Sequence, residues 1–420
     1  MNNMKKNRKL LNLYISCIIL LLSLLLIKDD VEGATIAGFI ALVFSFLTIK
    51  EAKASTNLVI LFSMIFYFNL SSYVLGPLTR GITFQPYQWD LWNSKYDAIA
   101  MKCILVSSLV FYISMCWTSI AKIQFVNEHN TRLKNNGLIS LLCLFIVLLI
   151  CVFSFSGGVS EGEYTSNDNP LFEYALFFFV LAWYYSGNHY ILKMLWILCC
   201  LLYLITALTA ADRSSAFMLL IVIALYYIKV IKLSRVFLLG FFGVLVANFI
   251  DLYRNGMGTT AYALLGRGLQ TVFSDTVGHA CYTSLTIYYY ESVINNQLEI
   301  FISWLITLFS GSLFVDRESV HLPILATRYY MNGGGGFFQP YFFFFFKYVG
   351  VALGTLLVSY LIILVNKSKT NNYFILLRYI IPAMSLRWYL YGPTTLFRAC
   401  FIMFFVIFLL VDGLDKILKK

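Results

Sequence analysis

Between Asp251 and Tyr341 the chain carries Asp316-Arg317-Glu318-Ser319-Val320-His321-Leu322-Pro323, then Arg328, then Asn332-Gly333-Gly334-Gly335-Gly336. This is the one long interval without a convincing membrane span of its own. On either side the sequence is almost continuously apolar, and that contrast decides the fold class. The 420-residue chain is 60% hydrophobic and 12% charged, against about 25% charged for a soluble domain. Apolar runs of the length needed to cross ~30 Å of hydrocarbon recur from end to end. The short alternating segments of a β-barrel do not occur. The expectation is an all-α polytopic membrane protein.

Spans are expected near 10–27, 32–49, 57–76, 98–120, 137–156, 171–187, 191–210, 214–232, 235–251, 341–365, 373–391 and 394–411. This gives about twelve transmembrane helices, with one large extracytoplasmic loop between the ninth and tenth. The domain division follows: 1–251 for the first nine spans, 252–340 for the loop, and 341–420 for the last three spans and a cytoplasmic C-terminus. The basic start before the first span resembles a signal peptide. No small-residue cleavage site follows it, and Lys28-Asp29-Asp30 leads at once into the next span, so a retained signal anchor is expected.

Joining segments fall into two alternating sets. The set that includes both termini holds nineteen of the 31 Lys and Arg residues with four acids, and the other holds twelve with sixteen. Cytoplasmic loops are the basic ones, which puts both termini in the cytoplasm. The net charge of +11 is explained in part by this rule, so nucleic acid is not an expected partner. The kind of cation also differs. The inside set has four arginines against fifteen lysines, the outside set eight against four. Topology needs only positive charge inside, so arginine outside calls for another cause. The planar guanidinium grips phosphate bidentately and stays charged. Pairing with the outer acids is the alternative.

Candidate site residues follow from this bias. Arg213 lies in the turn Ala210-Ala211-Asp212-Arg213-Ser214-Ser215, where Ser214 and Ser215 can add hydroxyls beside helix N–H groups that favour an anion. Arg254, Arg267 and Arg328 lie in the long loop. Arg387 and Arg398 lie near the outer ends of the last two spans, where charge is costly and usually functional. Asp275 and His279 are four apart on one helical face and can orient a general base. His321 is the other candidate base. Gly333, Gly334, Gly335 and Gly336 let a backbone approach a ligand closely, but they are no Walker loop because no Lys-Ser/Thr follows. A flexible hinge is the alternative for this run. The aromatic loop Gly76 to Asp97, with Phe84, Tyr87, Trp89 and Trp92, reads as a headgroup belt or as a stacking surface for sugar rings. The nine cysteines have no metal-ligand or disulfide spacing and read as small buried apolar residues. No acidic constellation suits a bound metal, and no cofactor is expected.

The run from Gly333 through Phe337-Phe338-Gln339-Pro340-Tyr341 to Tyr348-Val349-Gly350-Val351-Ala352-Leu353-Gly354, with the outer arginines and the span pattern, resembles the O-antigen and oligosaccharide repeat-unit polymerases, the Wzy-type family. Members tend to have a glycine cluster, a short amphipathic stretch and an aromatic-Gly-x-x-Gly-like start of a late span. The Asp212-Arg213-Ser214 turn resembles the family's arginine at the start of a middle span. Gln339-Pro340 departs from the pattern, because an acidic residue is common there. The detailed match covers roughly 60 residues, and the rest is architecture.

The resemblance implies a metal-independent glycosyltransferase acting on undecaprenyl-diphosphate-linked oligosaccharides at the outer face of a bacterial inner membrane. It implies membrane lipids and a chain-length regulator as further partners. The arginines would hold the diphosphates, and His321 or the Asp275–His279 pair would serve the acceptor hydroxyl. Three rivals stand beside this expectation. An O-antigen ligase uses the same donor. A lipid-linked glycan flippase would call for a cationic cavity and internal repeats. A polyprenyl-phosphate glycosyltransferase would use an acid in the first outer loop, where Asp29-Asp30 reads as an ordinary turn.

Overall fold

A computed structural model describes residues 2–79, 91–92, 94–125, 133–154, 171–209, 212–228, 235, 238, 240, 243, 275–311 and 313–419. Among these residues the chain is helical throughout, with one isolated bridge between Asn135 and Ser186. The helices are α1 (Asn2–Leu26), α2 (Val31–Glu51), α3 (Thr56–Tyr73), α4 (Lys95–Ile120), α5 (Gly137–Ser154), α6 (Leu171–Tyr185), α7 (Tyr190–Thr209), α8 (Arg213–Tyr227), α9 (Asp275–Val293), α10 (Gln297–Ser310), α11 (Leu322–Ala326), α12 (Phe338–Lys367), α13 (Asn372–Ala383), α14 (Ser385–Trp388) and α15 (Phe404–Leu418). π-Helical turns cover Val74–Leu78 and Thr395–Met403.

Polar residues set the starts of these helices. Asp30, Ser55, Ser94, Asp212 and Asn371 precede α2, α3, α4, α8 and α13, and each side chain accepts a backbone N–H of the first turn. A short polar side chain at that position satisfies one of the donors a helix start leaves open.

Eight helices among the described residues are long and apolar enough to cross a membrane: Lys9–Leu26, Val31–Ala54, Thr56–Leu78, Lys95–Ile120, Gly137–Ser154, Tyr190–Leu208, Phe338–Lys367 and Thr395–Leu418. The protein is an all-α membrane protein. Three further expected spans are shorter here. α6 and α8 have 15 residues each and α13 has 12, which at ~1.5 Å per residue fall below ~30 Å. Pro382 and the turn at Met384 end α13 early. The expected span 235–251 lies almost wholly outside the described residues.

The chain divides into two compact units. The first comprises residues 1–125, 273–367 and 387–398. α4 is its central helix, buried along nearly its whole length and packed on α1, α2, α9 and α12. α9 falls in the segment expected as an extracytoplasmic loop, yet its residues from Val277 to Tyr290 are buried almost without interruption, against α3, α4, α11 and α12. Periodicity alone reads α9 as an external helix because of its polar residues. Packing shows why they are tolerated: Thr283 and Ser284 both have partners.

α12 breaks at Phe346 and Lys347, where Lys347 takes φ +52°. Residues 342 and 350 of a straight helix would lie ~12 Å apart. Here the place of a Gly350 Cβ is 2.1 Å from the Phe342 carbonyl oxygen, and that of a Gly354 Cβ is 2.4 Å from the Phe342 ring. The two glycines give the room in which the aromatic segment Phe338–Phe345 folds back on the following span. Lys347 pairs with the buried Glu291 of α9 and lies over the Phe343 ring.

The second unit comprises residues 126–272, 368–386 and 399–420. In it α5, α6 and α7 pack together, with α8 and α13 on α6. Arg378 is inside α13 and only 1% exposed. Lys134 donates to Asp412 at 2.6 Å and Asp415 at 3.1 Å, and Asn136 and Lys419 also reach Asp415.

Candidate functional site

In the first unit the four glycines form a fastened loop. Gly334, Gly335 and Gly336 take φ +76°, +84° and +101°, a region that costs other residues energy and glycine little. Asn332 donates through Nδ2 to the Pro323 carbonyl at 3.1 Å and to Thr286 Oγ1 at 3.3 Å, and accepts the Gly334 N–H at 3.0 Å. Thr283 Oγ1 donates to the Gly334 carbonyl at 2.9 Å, and Phe337 N donates to Ser284 Oγ at 3.0 Å. Phe338 N donates to the Tyr389 carbonyl at 3.0 Å. The loop is thus held by α9, α11 and the 389–392 segment. A Cβ on Gly335 would stand 3.1 Å from the Leu390 carbonyl oxygen and 3.2 Å from the Tyr391 ring.

Arg387 is the expected residue with a described contact beside this loop. Arg387 lies over the Tyr391 ring with its Cζ 5.0 Å from the centroid, and Tyr391 is the ring that touches Gly335. His279 stands one turn before Thr283 on α9. His321 and Arg328 flank α11, which packs on α9. Arg328 is exposed. Arg398 approaches another glycine: its Nη2 is 2.6 Å from the place of a Gly311 Cβ, and Gly311 has φ +64°.

Other expected residues are not brought into this geometry. Arg254 and Arg267 lie outside the described residues, as do the side chains of Asp275, Arg213 and Arg317. Of the aromatic loop, Trp92 is described, and it is buried with its ring 5.9 Å from that of Tyr282. In the second unit, the reading of Ser215 as a hydroxyl for a ligand is corrected. Ser215 is fully buried and donates to Asp212 at 2.5 Å, and its N–H also bonds Asp212. The anion at the start of α8 is the chain's own Asp212 carboxylate.

Behind the loop lies a polar core that sequence reading missed. Tyr389 Oη donates to Asn69 Oδ1 at 2.6 Å and accepts from Gln339 Nε2 at 2.8 Å. Gln339 Nε2 also donates to Ser107 Oγ at 3.1 Å. Asn69 Nδ2 donates to Ser45 Oγ at 3.0 Å and Ser108 Oγ at 3.3 Å, and these two hydroxyls are 2.9 Å apart. All of these residues are buried. The signal available in the sequence is the presence of amides in two apolar runs, Asn69 in one and Gln339 in the other. Intramembrane polar groups are costly alone and act as interhelical glue when paired.

Chemically, the arrangement sets the Arg387 guanidinium, stacked on the Tyr391 ring, beside backbone that carries no side chains. Among the described residues no three His, Cys, Asp or Glu side chains gather as a metal-binding group. Compared with known proteins, the chain matches no family model, no curated protein and no solved structure.

Proposed function

We propose that this protein polymerises undecaprenyl-diphosphate-linked oligosaccharide repeat units into a surface polysaccharide at the outer face of a bacterial inner membrane. The reading rests on one observation above all: a backbone-anchored glycine loop stands beside the Arg387–Tyr391 pair in a chain whose outer segments favour arginine. In the reaction, the acceptor sugar hydroxyl bonds the anomeric carbon of the growing glycan. The bond from that carbon to the diphosphate breaks, and the lipid diphosphate departs with the electron pair. Preorganised cations stabilise that departing charge, the role given to Arg213, Arg254, Arg267, Arg328, Arg387 and Arg398. His321, or the Asp275–His279 pair, takes the hydroxyl proton.

The twelve-span arrangement with cytoplasmic termini belongs to this proposal. Its support is that the ion pairs Lys9–Glu51, Lys102–Asp29, Lys134–Asp412, Lys134–Asp415 and Lys347–Glu291 each join two charges of the same topological set.

The test is replacement of each outer arginine by alanine, read as glycan chain length on a gel. Loss of long chains in the Arg213, Arg254, Arg267 and Arg328 variants is expected, and normal chains in all four would remove the phosphate clamp. A deletion strain separates the polymerase from the ligase: it keeps single repeat units on the acceptor if the protein is a polymerase, and has none if it is a ligase.

A further inference from the structure

Beneath the glycine loop, still within the first unit, lies a small cavity whose walls include Ser72, Asp97, Ala100, Cys281, Ser284 and Gln339. It measures about 10 Å³, at the lower edge of the ~10–15 Å³ that one water occupies. Its chemistry is polar on several sides. Asp97 is 4% exposed and Ser72 is 4% exposed, and Ser72 Oγ accepts the Cys281 thiol at 3.3 Å, which leaves its own proton to be given elsewhere. Gln339 is fully buried. Its amide nitrogen is committed to Ser107 and Tyr389, while no donor among the described residues reaches Oε1. A buried carbonyl oxygen without a donor is costly to leave unpaired, and a cavity that offers a water several polar partners can hold one, whereas apolar cavities stay dry.

We propose that this cavity binds one ordered water, which donates to Gln339 Oε1 and takes its other partners from Ser72 and Asp97. That water joins α3 and α4 to the segment Phe338–Phe345. It extends the polar core from Asn69 and Tyr389 to Asp97, directly under the residues that anchor the glycine loop. The inference does not depend on the glycan reading.

Two experiments on the full chain in lipid nanodiscs test it. The first is a cryo-EM map that resolves ordered waters. Density within hydrogen-bond reach of Gln339 Oε1 is expected, and a clean map there overturns the proposal. The second compares thermal melting of A100S and A100V. A serine hydroxyl in this wall can replace the water's bond, whereas valine displaces the water and leaves Oε1 without a donor. A100S is therefore expected to melt above A100V. The reverse order would mark a dry void that valine fills. A melting temperature that rises in NaCl over choline chloride, and loses that dependence in D97N, would mark a bound cation and equally overturn the water.

Discussion

Gly392 and Gly334 separate two demands that look alike in sequence. Both have positive φ, +93° and +76°, so an alanine at either meets the left-handed penalty of ~1–2 kcal/mol. A Cβ on Gly392 would also lie 2.4 Å from the buried Tyr341 ring, while one on Gly334 meets nothing within 4 Å. Gly392→Ala is expected to lower the melting temperature clearly more than Gly334→Ala. Equal shifts would show that φ alone limits both positions. Asn332 belongs to the same scale. Asn332→Ala removes the side chain that ties the loop to Pro323 and Thr286, at a cost of order 1–3 kcal/mol for the groups left unpaired. If the protein polymerises glycans as proposed, chain length is expected to shorten with it, because an unfastened loop no longer holds Gly335 against Tyr391.

At the scale of elements, the break in α12 carries the clearest prediction. Phe342 fills the space left by Gly350 and Gly354. Gly354→Ala forces the ring out, and Phe342→Ala opens a cavity worth roughly 3–5 kcal/mol. The double variant is expected to be less damaged than the sum of the two, with a coupling of ~0.5–3 kcal/mol as contacting pairs give. Strict additivity in melting would mean that the segment Phe338–Phe345 does not pack on the span in the membrane. The start of α8 is simpler. Asp212→Ala loses the N-cap and strands the Ser215 hydroxyl, and a cost of ~0.5–2 kcal/mol is expected.

For the whole molecule, the charge network of the second unit is the testable feature. Burial alone would lower the Lys134 pKa, but its hydrogen bonds to Asp412 and Asp415 outweigh that and hold it above the usual lysine range. A raised folded-state value gives stability that is complete below the unfolded lysine pKa and lost only as pH climbs through the folded one. Lys134 therefore stays charged at neutral pH. Lys134→Met is expected to destabilise at pH 7, by at most the ~3–5 kcal/mol of a broken buried pair, since Asn136 and Lys419 still reach Asp415. At the same scale, a reporter-fusion map that puts residues 252–340 in the cytoplasm would leave the outer arginines in the wrong compartment for lipid diphosphates.

The amino-acid sequence by itself determined the class of this protein. Length and polarity of each apolar run are local properties, and a bilayer reads them one segment at a time. The break in α12 was not legible in this way: the expected span 341–365 runs through Phe346 and Lys347, where the helix is interrupted. Tertiary structure alone decided which polar residues are spent on the fold. Ser215 and Asp212 satisfy each other, the four glycines are pinned, and α9 is buried despite its threonines and serines. Asn69, Gln339 and Tyr389 meet from segments far apart in the chain. A hydrogen bond between distant segments leaves no periodic trace in sequence, since its partners are brought within 3 Å only when the helices pack.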